Sequence, residues 1–547
     1  MTSPHEEGSP ASKLLILGEA PARTEMRLGR PFMGEAGDVF NSCLHTAGIA
    51  RRECYILNTF PFDIWKDKRN QAIYDRQPPE GILLWHPNKG LTPAGLEAAR
   101  PTLEKIHEAS PNCILAMGAP ALHLCTGDAR KIMKWRSSTI LGDRVGRKVV
   151  PTVHPAATLY GTYIWRYLIC HDMKKVKEYE LTSPIISLPL RSYLVRPTFA
   201  DVYHYMHACR EQGKFATDLE VLNRQVYCFS MAYEHGDSIT VPFEDPNGQP
   251  YWSEEDEERI WRMYAELMGD PHVMKVNQNI MGFDSIFFLN YCNVHTRGPL
   301  GDCMIANSIV YPEFPMGLDF IATLHTREPY WKDEGKIHKK LEWDYDRFLK
   351  YCGTDSMVAL ECWDALEHEM HEGGYWATYE MTIDMWDQLS YMSIDGLPVN
   401  KAGLKDINVY LEKVIAEKQA ALDEACGQAL NVNSHKQCAA YFYEHLGIPS
   451  YKNREGGITT DDKAMSRIVR RTSKGSAEAR LVQEVRKYRK LKNTYMEVEL
   501  DDDDMLRCSW NPRGTKFGRL SSSKTIFGTG LNLQNLDPEF KAFVVAG

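Results

Sequence analysis

The stretch 214–221 constrains this chain most, because it is an apolar run that contains two carboxylates one residue apart. Alternate residues of a β-strand face the same side, so Asp218 and Glu220 would project together from one edge of a sheet. Two carboxylates in that arrangement can share a divalent metal ion. A solvated strand end would show the same tripeptide, so the prediction depends on acids that lie later in the chain.

Two further acids lie in an order that supports a shared site. Asp284 comes after a polar turn and opens a helical run, and Tyr351 and Asp355 lie four residues apart at the start of another. Residues four apart on a helix share a face. Four converging carboxylates are too costly to bury unpaired, and two divalent cations would neutralise them while stabilising both oxygens of a phosphodiester displacement. The alternative is an acidic cluster without a catalytic role.

In order and spacing these residues resemble the proofreading exonuclease family with an Asp-Glu-Asp-Asp signature and a Tyr-x-x-x-Asp third motif. The resemblance implies a ribonuclease-H-like domain with 3'-5' exonuclease activity. In it Asp218, Glu220, Asp284 and Asp355 would hold two Mg²⁺ or Mn²⁺ ions, and Tyr351 would hold the attacking water. The sequence pattern predicts strands at 214–221, 225–233 and 238–242, and helices at 253–268 and 284–292. Asp302 also matches the family, and we interpret it as a helix cap.

Composition bounds the remaining possibilities. A chain of 547 residues is long enough for three or four domains. Its 14 cysteines include no Cys-x-x-Cys pair, which fits a reducing cytosol, and no apolar run approaches membrane-spanning length. The net charge of -9 argues against a uniformly basic nucleic-acid binder. We expect a disordered tail at 1–12, an α/β domain at 13–180, a linker at 181–195, the exonuclease domain at 196–375, a helical domain at 376–505 and a last segment at 506–547.

The first domain has the pattern of an open α/β sheet. Short apolar runs at 14–17, 113–117 and 149–153 each end in a polar loop, and helical stretches such as 92–108 separate them. The ligand crevice of such a sheet lies beyond the carboxyl ends of its strands, where Glu19, Asn58 and His154 would lie.

These residues and the glycine-rich stretch 29–37 resemble the uracil-DNA glycosylase superfamily, most closely its thermophile-type branch. The resemblance implies that Glu19 lies in the water-positioning loop, that Phe32 stacks on a flipped base, that Asn58 reads its edge and that His154 stabilises the leaving base anion. That branch binds an iron-sulfur cluster through four cysteines. Here no cysteine precedes Cys43, so we expect no cluster. Two alternatives stay open: the domain excises a base, or it keeps only the fold and serves as a DNA-binding or interaction module.

The helical region carries a strongly basic segment. We expect helices at 376–393, 401–426, 433–446 and 476–498, and residues 466–492 hold ten Lys or Arg against two Glu. Such a segment can follow a DNA backbone, or it can be a solvated helix face. The motifs at 433–437, 446–449, 459–461 and 487–495 resemble, in order, the thumb of family A DNA polymerases. The DNA-binding side chains expected in the basic segment are Arg486, Lys487, Arg489, Lys490 and Lys492.

The motifs at 518–523 and 532–536 resemble the start of the palm of the same family. By that likeness Arg519, Ser521, Gln534 and Asn535 would hold primer-template duplex. The sequence ends before the catalytic aspartates of the family, and nucleotidyl transfer needs carboxylates to hold its metals, so we expect no polymerisation by this chain alone. Two explanations stay open: the chain is a fragment, or the gene is split and a second chain carries palm and fingers.

Taken together, the sequence predicts an α/β multidomain chain: a glycosylase-like domain, a ribonuclease-H-like exonuclease domain, and a helical thumb with a partial palm. The most specific hypothesis is the front part of a family A replicative polymerase of phage type, active in the host cytoplasm. Its partners would be single-stranded 3' ends and primer-template duplex, without a membrane. The alternatives are a base-excision enzyme and a non-catalytic scaffold for a separately encoded polymerase chain.

Overall fold

A computed structural model describes residues 3–62, 64, 83–335, 344–453 and 456–545. The chain is an α/β multidomain protein, as expected, and it divides into two compact units. The first unit comprises Met1–Ile280 and Tyr291–Glu380 and contains two six-stranded sheets. The second unit comprises Met281–Asn290 and Met381–Gly547 and is mainly helical.

The first sheet belongs to the glycosylase-like domain and is built on four parallel strands. Its strand order is β1-β3-β2-β6-β8-β7, with β2, β3, β6 and β8 parallel. The central strands are apolar and buried on both faces, as expected for a parallel sheet covered by helices. The strands are β1 Glu6–Glu7, β2 Leu14–Gly18, β3 Cys54–Asn58, β4 Trp85–His86, β5 Gly90–Leu91, β6 Cys113–Met117, β7 Ile140–Gly142 and β8 Arg147–Thr152. The helices are α1 Arg23–Leu28, α2 Glu35–Thr46, α3 Pro93–Glu108, α4 Ala119–Thr126, α5 Ile132–Trp135 and α6 Trp165–Lys175.

The expectation of a disordered tail at 1–12 is wrong for the residues that the structure describes. Glu6 and Glu7 form β1 and pair antiparallel with Leu57 and Ile56 of β3. Charged partners explain why, because Glu7 forms ion pairs with Arg51 at 2.6 Å and with Arg30 at 2.8 Å. Met1 and Thr2 lie outside the described residues.

The second sheet mixes parallel and antiparallel strands in the order β14-β13-β10-β11-β12-β9. Its strands are β9 Ser192–Leu194, β10 Lys214–Leu222, β11 Gln225–Ala232, β12 Asp237–Pro242, β13 Met274–Asn277 and β14 Leu300–Asp302. Its helices are α7 Phe199–Gln212, α8 Glu254–Met268, α9 Asp284–Cys292, α10 Cys303–Val310, α11 Leu318–His325 and α12 Tyr345–Glu372. The strands and helices predicted in this region are confirmed to within a residue. The predicted linker is shorter than expected, because its end supplies β9, which pairs with β12.

Helix α12 crosses four strands of this sheet, β10 to β13. Its first turn is capped by Asp344, whose carboxylate accepts the backbone N–H of Arg347 at 3.0 Å. Apolar residues recur along one face, and the largest of them, Trp363, is fully buried. The helix therefore lies with one fixed face on the sheet, which decides where its polar residues point.

The helices of the C-terminal region are α13 Trp376–Ile383, α14 Trp386–Asp395, α15 Lys401–Cys426, α16 His435–Ala439, α17 Asp462–Arg471, α18 Ser476–Lys490 and α19 Pro538–Lys541. Three two-stranded sheets accompany them, formed by β15 Leu397–Pro398 with β18 Met505–Leu506, β16 Tyr451–Lys452 with β17 Ile458–Thr459, and β19 Ser509–Asn511 with β20 Ser521–Ser523. The long α15 packs along α18. The helix predicted at 376–393 is interrupted after Ile383, whereas the helix predicted at 401–426 is confirmed. Among the described residues, no helix has the length and apolar content needed to cross a bilayer.

The N-terminal ion pairs predict a pH-dependent contribution to stability. Burial raises the pKa of Glu7, but hydrogen bonds and charge from Arg51 and Arg30 outweigh it and lower the pKa to about 2. Because the pKa of Glu7 is lower in the folded protein than in the unfolded chain, the ionised carboxylate stabilises the folded protein. This stabilisation is fully present above pH 4.5 and is lost as the pH falls towards 2. We expect Glu7→Gln to lower stability at pH 7 by about 1 kcal/mol, after allowing for solvent screening.

The measurement is the melting temperature of both proteins between pH 2.5 and 7, at fixed salt. The two curves should converge towards the acid end. Glu53→Gln changes an exposed glutamate nearby and serves as the matched control. A Glu7→Gln difference that stays constant with pH would contradict the assignment.

Candidate functional site

Strand β10 carries the first two acids of the candidate site. It lies inside the sheet, antiparallel to β11 and parallel to β13. Asn277, the last residue of β13, donates its side-chain amide to Asp218 Oδ1 at 3.2 Å. The pairing with β11 shifts by one residue just after Glu220. Such a bulge locally twists a strand and re-aims its side chains, so β10 presents Asp218 and Glu220 at an irregular point of the sheet.

Helix α12 brings the third acid to the same place. Asp355 is 2% exposed, and Tyr351 lies one turn earlier on the same helix. Ligand atoms of Asp218, Glu220 and Asp355 all lie within 4.8 Å of one another. Among the described residues this is the only such group of three or more His, Cys, Asp or Glu side chains. The packing of α12 across β10 therefore assembles the carboxylate group, our term for these three residues.

The electrostatics of the carboxylate group reflect crowding of like charges. Desolvation and the negative charge of Asp355 raise the pKa of Asp218 to about 7, against opposing effects of Lys332 and Asn277. Burial, followed by the charges of Asp355 and the other two acids, raises the pKa of Tyr351. The tyrosine hydroxyl thus stays protonated at neutral pH and acts as a hydrogen-bond donor.

Two residues that the sequence patterns did not indicate reach the carboxylate group. The indole of Trp331 donates to Asp355 Oδ1 at 2.6 Å, and the ammonium of Lys332 donates to Asp355 Oδ2 at 2.7 Å. The ammonium also lies 5.5 Å from the ring centre of Tyr351. Neither residue stands in a recognisable motif, and both lie more than 20 residues before Asp355. We find no sequence signal that would have identified them.

Three of the four expected acids form the carboxylate group, and the role of Asp284 at the site stays a prediction. Asp284 opens α9 and is 3% exposed, and its segment, Met281–Asn290, belongs to the second compact unit. The core of that unit holds the segment, for example through Phe287, whose ring lies 6.0 Å from that of Phe527. Asp302 caps α10, accepting the backbone N–H of Met304 at 2.9 Å, as its interpretation as a cap predicted.

The donor chemistry of the carboxylate group suits a hard divalent cation. Carboxylate oxygens are the preferred ligands of Mg²⁺ and Mn²⁺. Burial and then the charge of Asp355 disfavour the ionised form of Asp218 and raise its pKa, and Lys332 and Asn277 compensate only in part. A divalent cation held by Asp218, Glu220 and Asp355 would supply that compensation.

The predicted glycosylase-like pocket lies at the carboxyl ends of the parallel strands of the first sheet. Asn58 ends β3, Glu19 follows β2 and His154 follows β8. Phe32 is buried with a left-handed φ of 51°, stacks on Phe40 at 4.3 Å and lies 5.9 Å from the His154 ring. The four expected residues therefore occupy one edge of the sheet, with Phe32 packed inward.

His154 is held in one orientation. The backbone N–H of Ala156 donates to His154 Nδ1 at 3.2 Å, which leaves the proton of the neutral ring on Nε2. Burial lowers the pKa of His154 to about 4. The ring is therefore neutral at physiological pH and can donate from Nε2.

The expected DNA-binding residues differ in their accessibility. Arg486 donates to the carbonyls of Val432 at 2.9 Å and Thr460 at 2.6 Å, and its expected role in DNA binding stays a prediction. Lys487 pairs with Glu539, Arg489 donates to Gln419, and Lys492 pairs with Glu412 and Glu497. Lys490, Arg519, Gln534 and Asn535 are exposed, and Ser521 is half-buried in β20.

Two protein-family models match the chain. The uracil DNA glycosylase superfamily matches residues 5–170, and DNA polymerase family A matches residues 401–541. The type-4 uracil-DNA glycosylase of Thermotoga maritima is 30% identical over 178 residues, covering 32% of this chain and 80% of that protein. The chain belongs to the uracil DNA glycosylase superfamily. Residues 401–541 of the same chain match DNA polymerase family A and are thus similar to a polymerase domain of that family.

The polymerase relatives are much longer than the part that this chain matches. DNA polymerase I of Streptococcus pneumoniae is 26% identical over 298 residues, covering 50% of this chain and 32% of that protein. The chain thus spans about a third of that relative's length. Among solved structures, the POL domain of Pol1 from M. smegmatis, in complex with DNA primer-template and dNTP, resembles the fold with a TM-score of 0.50. Its sequence is 19% identical, and the match covers 65% of this chain and 59% of that chain.

Crowding in the carboxylate group predicts a stabilising substitution. Because the pKa of Asp218 is higher in the folded protein than in the unfolded chain, ionisation of this carboxyl group destabilises the folded protein. The free energy of unfolding therefore falls as the pH rises from the unfolded pKa through about 7. We expect Asp218→Asn, in the presence of EDTA, to raise the free energy of unfolding at pH 8 by about 1 kcal/mol. This is less than the pKa shift alone would give, because Asp218 is partly exposed and solvent screens its charge. The difference should vanish near pH 4.

The readout is the melting temperature from pH 4 to 8 with and without MgCl₂. Magnesium should stabilise the wild type more than Asp218→Asn, since a cation that binds only the folded state raises its stability. Glu266→Gln, on the exposed face of α8, is the control and should follow the wild-type curve. If Asp218→Asn melts at a lower temperature than the wild type at pH 8, repulsion between like charges in the carboxylate group is contradicted.

Proposed function

We propose that this chain is a metal-dependent 3'-5' exodeoxyribonuclease that works beside a family A DNA polymerase domain and serves proofreading in DNA replication. The observation that carries the proposal is the carboxylate group, in which three acids from β10 and α12 lie within 4.8 Å with Tyr351 one turn away. The matches to DNA polymerase family A and to DNA polymerase I of Streptococcus pneumoniae support the polymerase part of the proposal.

In this proposal Asp218, Glu220 and Asp355 hold divalent cations. Bound there, such cations would lower the pKa of a water molecule and stabilise the charge that develops on the phosphodiester. Tyr351 remains protonated, so its hydroxyl orients the attacking water and does not remove its proton. Asn277 donates to Asp218 and holds its carboxylate in place.

Exposed cations of the helical region are proposed to bind duplex DNA. Eight basic side chains from α17 to the end of α18 are exposed: Lys463, Arg467, Arg470, Arg471, Lys474, Arg480, Lys487 and Lys490. Contacts with phosphates supply affinity without sequence preference, and that affinity falls with salt. Arg519, Gln534 and Asn535 would add contacts to the primer-template. A 3' end released from the duplex would then be the substrate of the nuclease.

The direct test replaces two acids of β10. Asp218→Ala with Glu220→Ala should abolish magnesium-dependent shortening of a 5'-labelled single strand by several orders of magnitude, because two of three ligands are lost. Duplex binding, measured by fluorescence anisotropy, should stay within about twofold, since the basic helices are unchanged. Degradation that persists in the double variant would refute the proposal.

The matched control replaces two exposed acids of α8, Glu254→Ala with Glu255→Ala. It removes the same charge from the same domain and should degrade DNA at the wild-type rate. If the control also loses activity, the effect of the first variant reflects the net charge or the folding of the domain, and the assignment of Asp218 and Glu220 fails.

A second candidate function is excision of uracil from DNA by the first domain. The observation in its favour is the neutral His154, whose Nε2 proton is available to a leaving base anion, with Asn58 at the same edge. Stabilisation of that anion is the chemistry such a site needs. The alternative, a DNA-binding module that retains the fold without excision, predicts binding without product.

Excision is tested in EDTA, where a magnesium-dependent nuclease is silent. An excising domain should convert uracil-containing DNA into alkali-labile abasic sites, and His154→Ala and Asn58→Ala should each reduce the rate at least about a hundredfold. His86→Ala, distant from these residues in sequence and on β4, is a control of the same type. Failure of the wild type to form abasic sites would exclude this candidate.

A further inference from the structure

A strap between the two domains of the first unit connects the glycosylase-like domain to the carboxylate group. We define the strap as residues 323–333, which run from the end of α11 towards α12. At one end of the strap, Trp331 and Lys332 donate to the two oxygens of Asp355 at 2.6 and 2.7 Å. Both oxygens of this buried acid are thus engaged by neighbouring residues of one segment.

The residues on either side of this pair contact the glycosylase-like domain. The backbone N–H of Tyr330 donates to Ser138 Oγ at 3.1 Å, and its ring packs against Trp135 at 5.2 Å. The ammonium of Lys134 donates to the Tyr330 hydroxyl at 2.8 Å and to Asp333 at 3.2 Å. The strap is therefore anchored to the first domain immediately before and after the two residues that contact Asp355.

The start of the strap is anchored more deeply. Arg136 has no exposed surface, pairs with Asp172 at 2.6 Å and donates to Thr323 Oγ1. Lys175 donates to the carbonyls of Thr323 at 3.1 Å and Thr326 at 2.7 Å. His171 bonds the carbonyl of Leu324 at 3.0 Å through Nε2. Buried ion pairs of this kind hold a fixed geometry, because losing one partner leaves an uncompensated charge.

The position of Lys332 has a consequence for cation binding. Its ammonium lies 2.7 Å from Asp355 Oδ2 and contributes a positive charge that acts on Asp218 and Glu220 as well. A divalent cation ligated by Asp355 would use the same oxygen lone pairs at about 2.1 Å and would be repelled by the ammonium. The ammonium therefore competes with a cation at Asp355 and lowers its affinity, and the anchors of the strap hold the ammonium in that place.

We propose that the glycosylase-like domain sets the cation affinity of the carboxylate group by holding the strap so that Lys332 competes for Asp355. Lys332 and Trp331 are then positioning residues of the nuclease, and the first domain acts on the second through the strap. The inference rests on the proposed function, because it requires that the carboxylate group binds divalent cations.

Mn²⁺ binding to the full chain, measured by titration calorimetry and by electron paramagnetic resonance, tests the proposal without an activity assay. Asp218→Ala gives the background. We expect Lys332→Met to bind Mn²⁺ about tenfold more tightly than the wild type, because one competing charge is removed. Lys332→Arg keeps a cation in place and should bind close to the wild-type affinity. Equal affinity in the wild type and Lys332→Met overturns the inference and leaves the proposed function standing.

The role of the first domain is tested away from the acids. Tyr330→Ala removes the contacts with Lys134 and Trp135 and should tighten Mn²⁺ binding severalfold. Added to Lys332→Met it should change nothing further, because both act through the same ammonium. Lys131→Ala, an exposed lysine beside α5, is the matched control. Additive effects, or wild-type affinity in Tyr330→Ala, overturn the role of the domain. No Mn²⁺ binding above the Asp218→Ala background overturns the inference and the proposed function together.

Discussion

The buried carboxylate of Asp355 is the constraint on which the first unit depends. A carboxyl group that is 2% exposed must be hydrogen-bonded, and Trp331 and Lys332 satisfy both of its oxygens. Their position requires a strap that leaves α11 and crosses to Asp355. The need to pair one acid thus links the second sheet to the neighbouring domain.

The two sheets of this unit use their edges differently. In the first sheet, parallel strands end together, so that Asn58 and His154 meet at one edge although nearly 100 residues separate them. In the second sheet, the acids arise within β10, and a helix packed across the sheet completes the group. One site is therefore built by strand order and the other by the contact between a helix and a sheet.

The regular elements could be predicted from the sequence because their signals are local. The period-two pattern of β10 and the apolar stripe of α12 place Asp218, Glu220 and Asp355 on defined faces, and α15 begins and ends at the expected residues. The prediction that residues 1–12 are disordered was wrong because their ordered structure depends on ion pairs with Arg30 and Arg51, which lie outside this segment. The sequence predicts that Arg486 binds DNA, and only the structure shows that its guanidinium donates to backbone carbonyls distant in sequence.

The order of residues was enough to predict β10 and its neighbouring strands, which acids face one side of β10, and which side of α12 carries Tyr351 and Asp355. Packing was needed to show that Asp284 belongs to another unit and that Lys332 and Trp331 contact Asp355. The two kinds of information differ in range. Periodicity and capping act over a few residues, whereas the partner of a buried charge is chosen by the packing of segments far apart in the chain, which leaves no pattern in either segment.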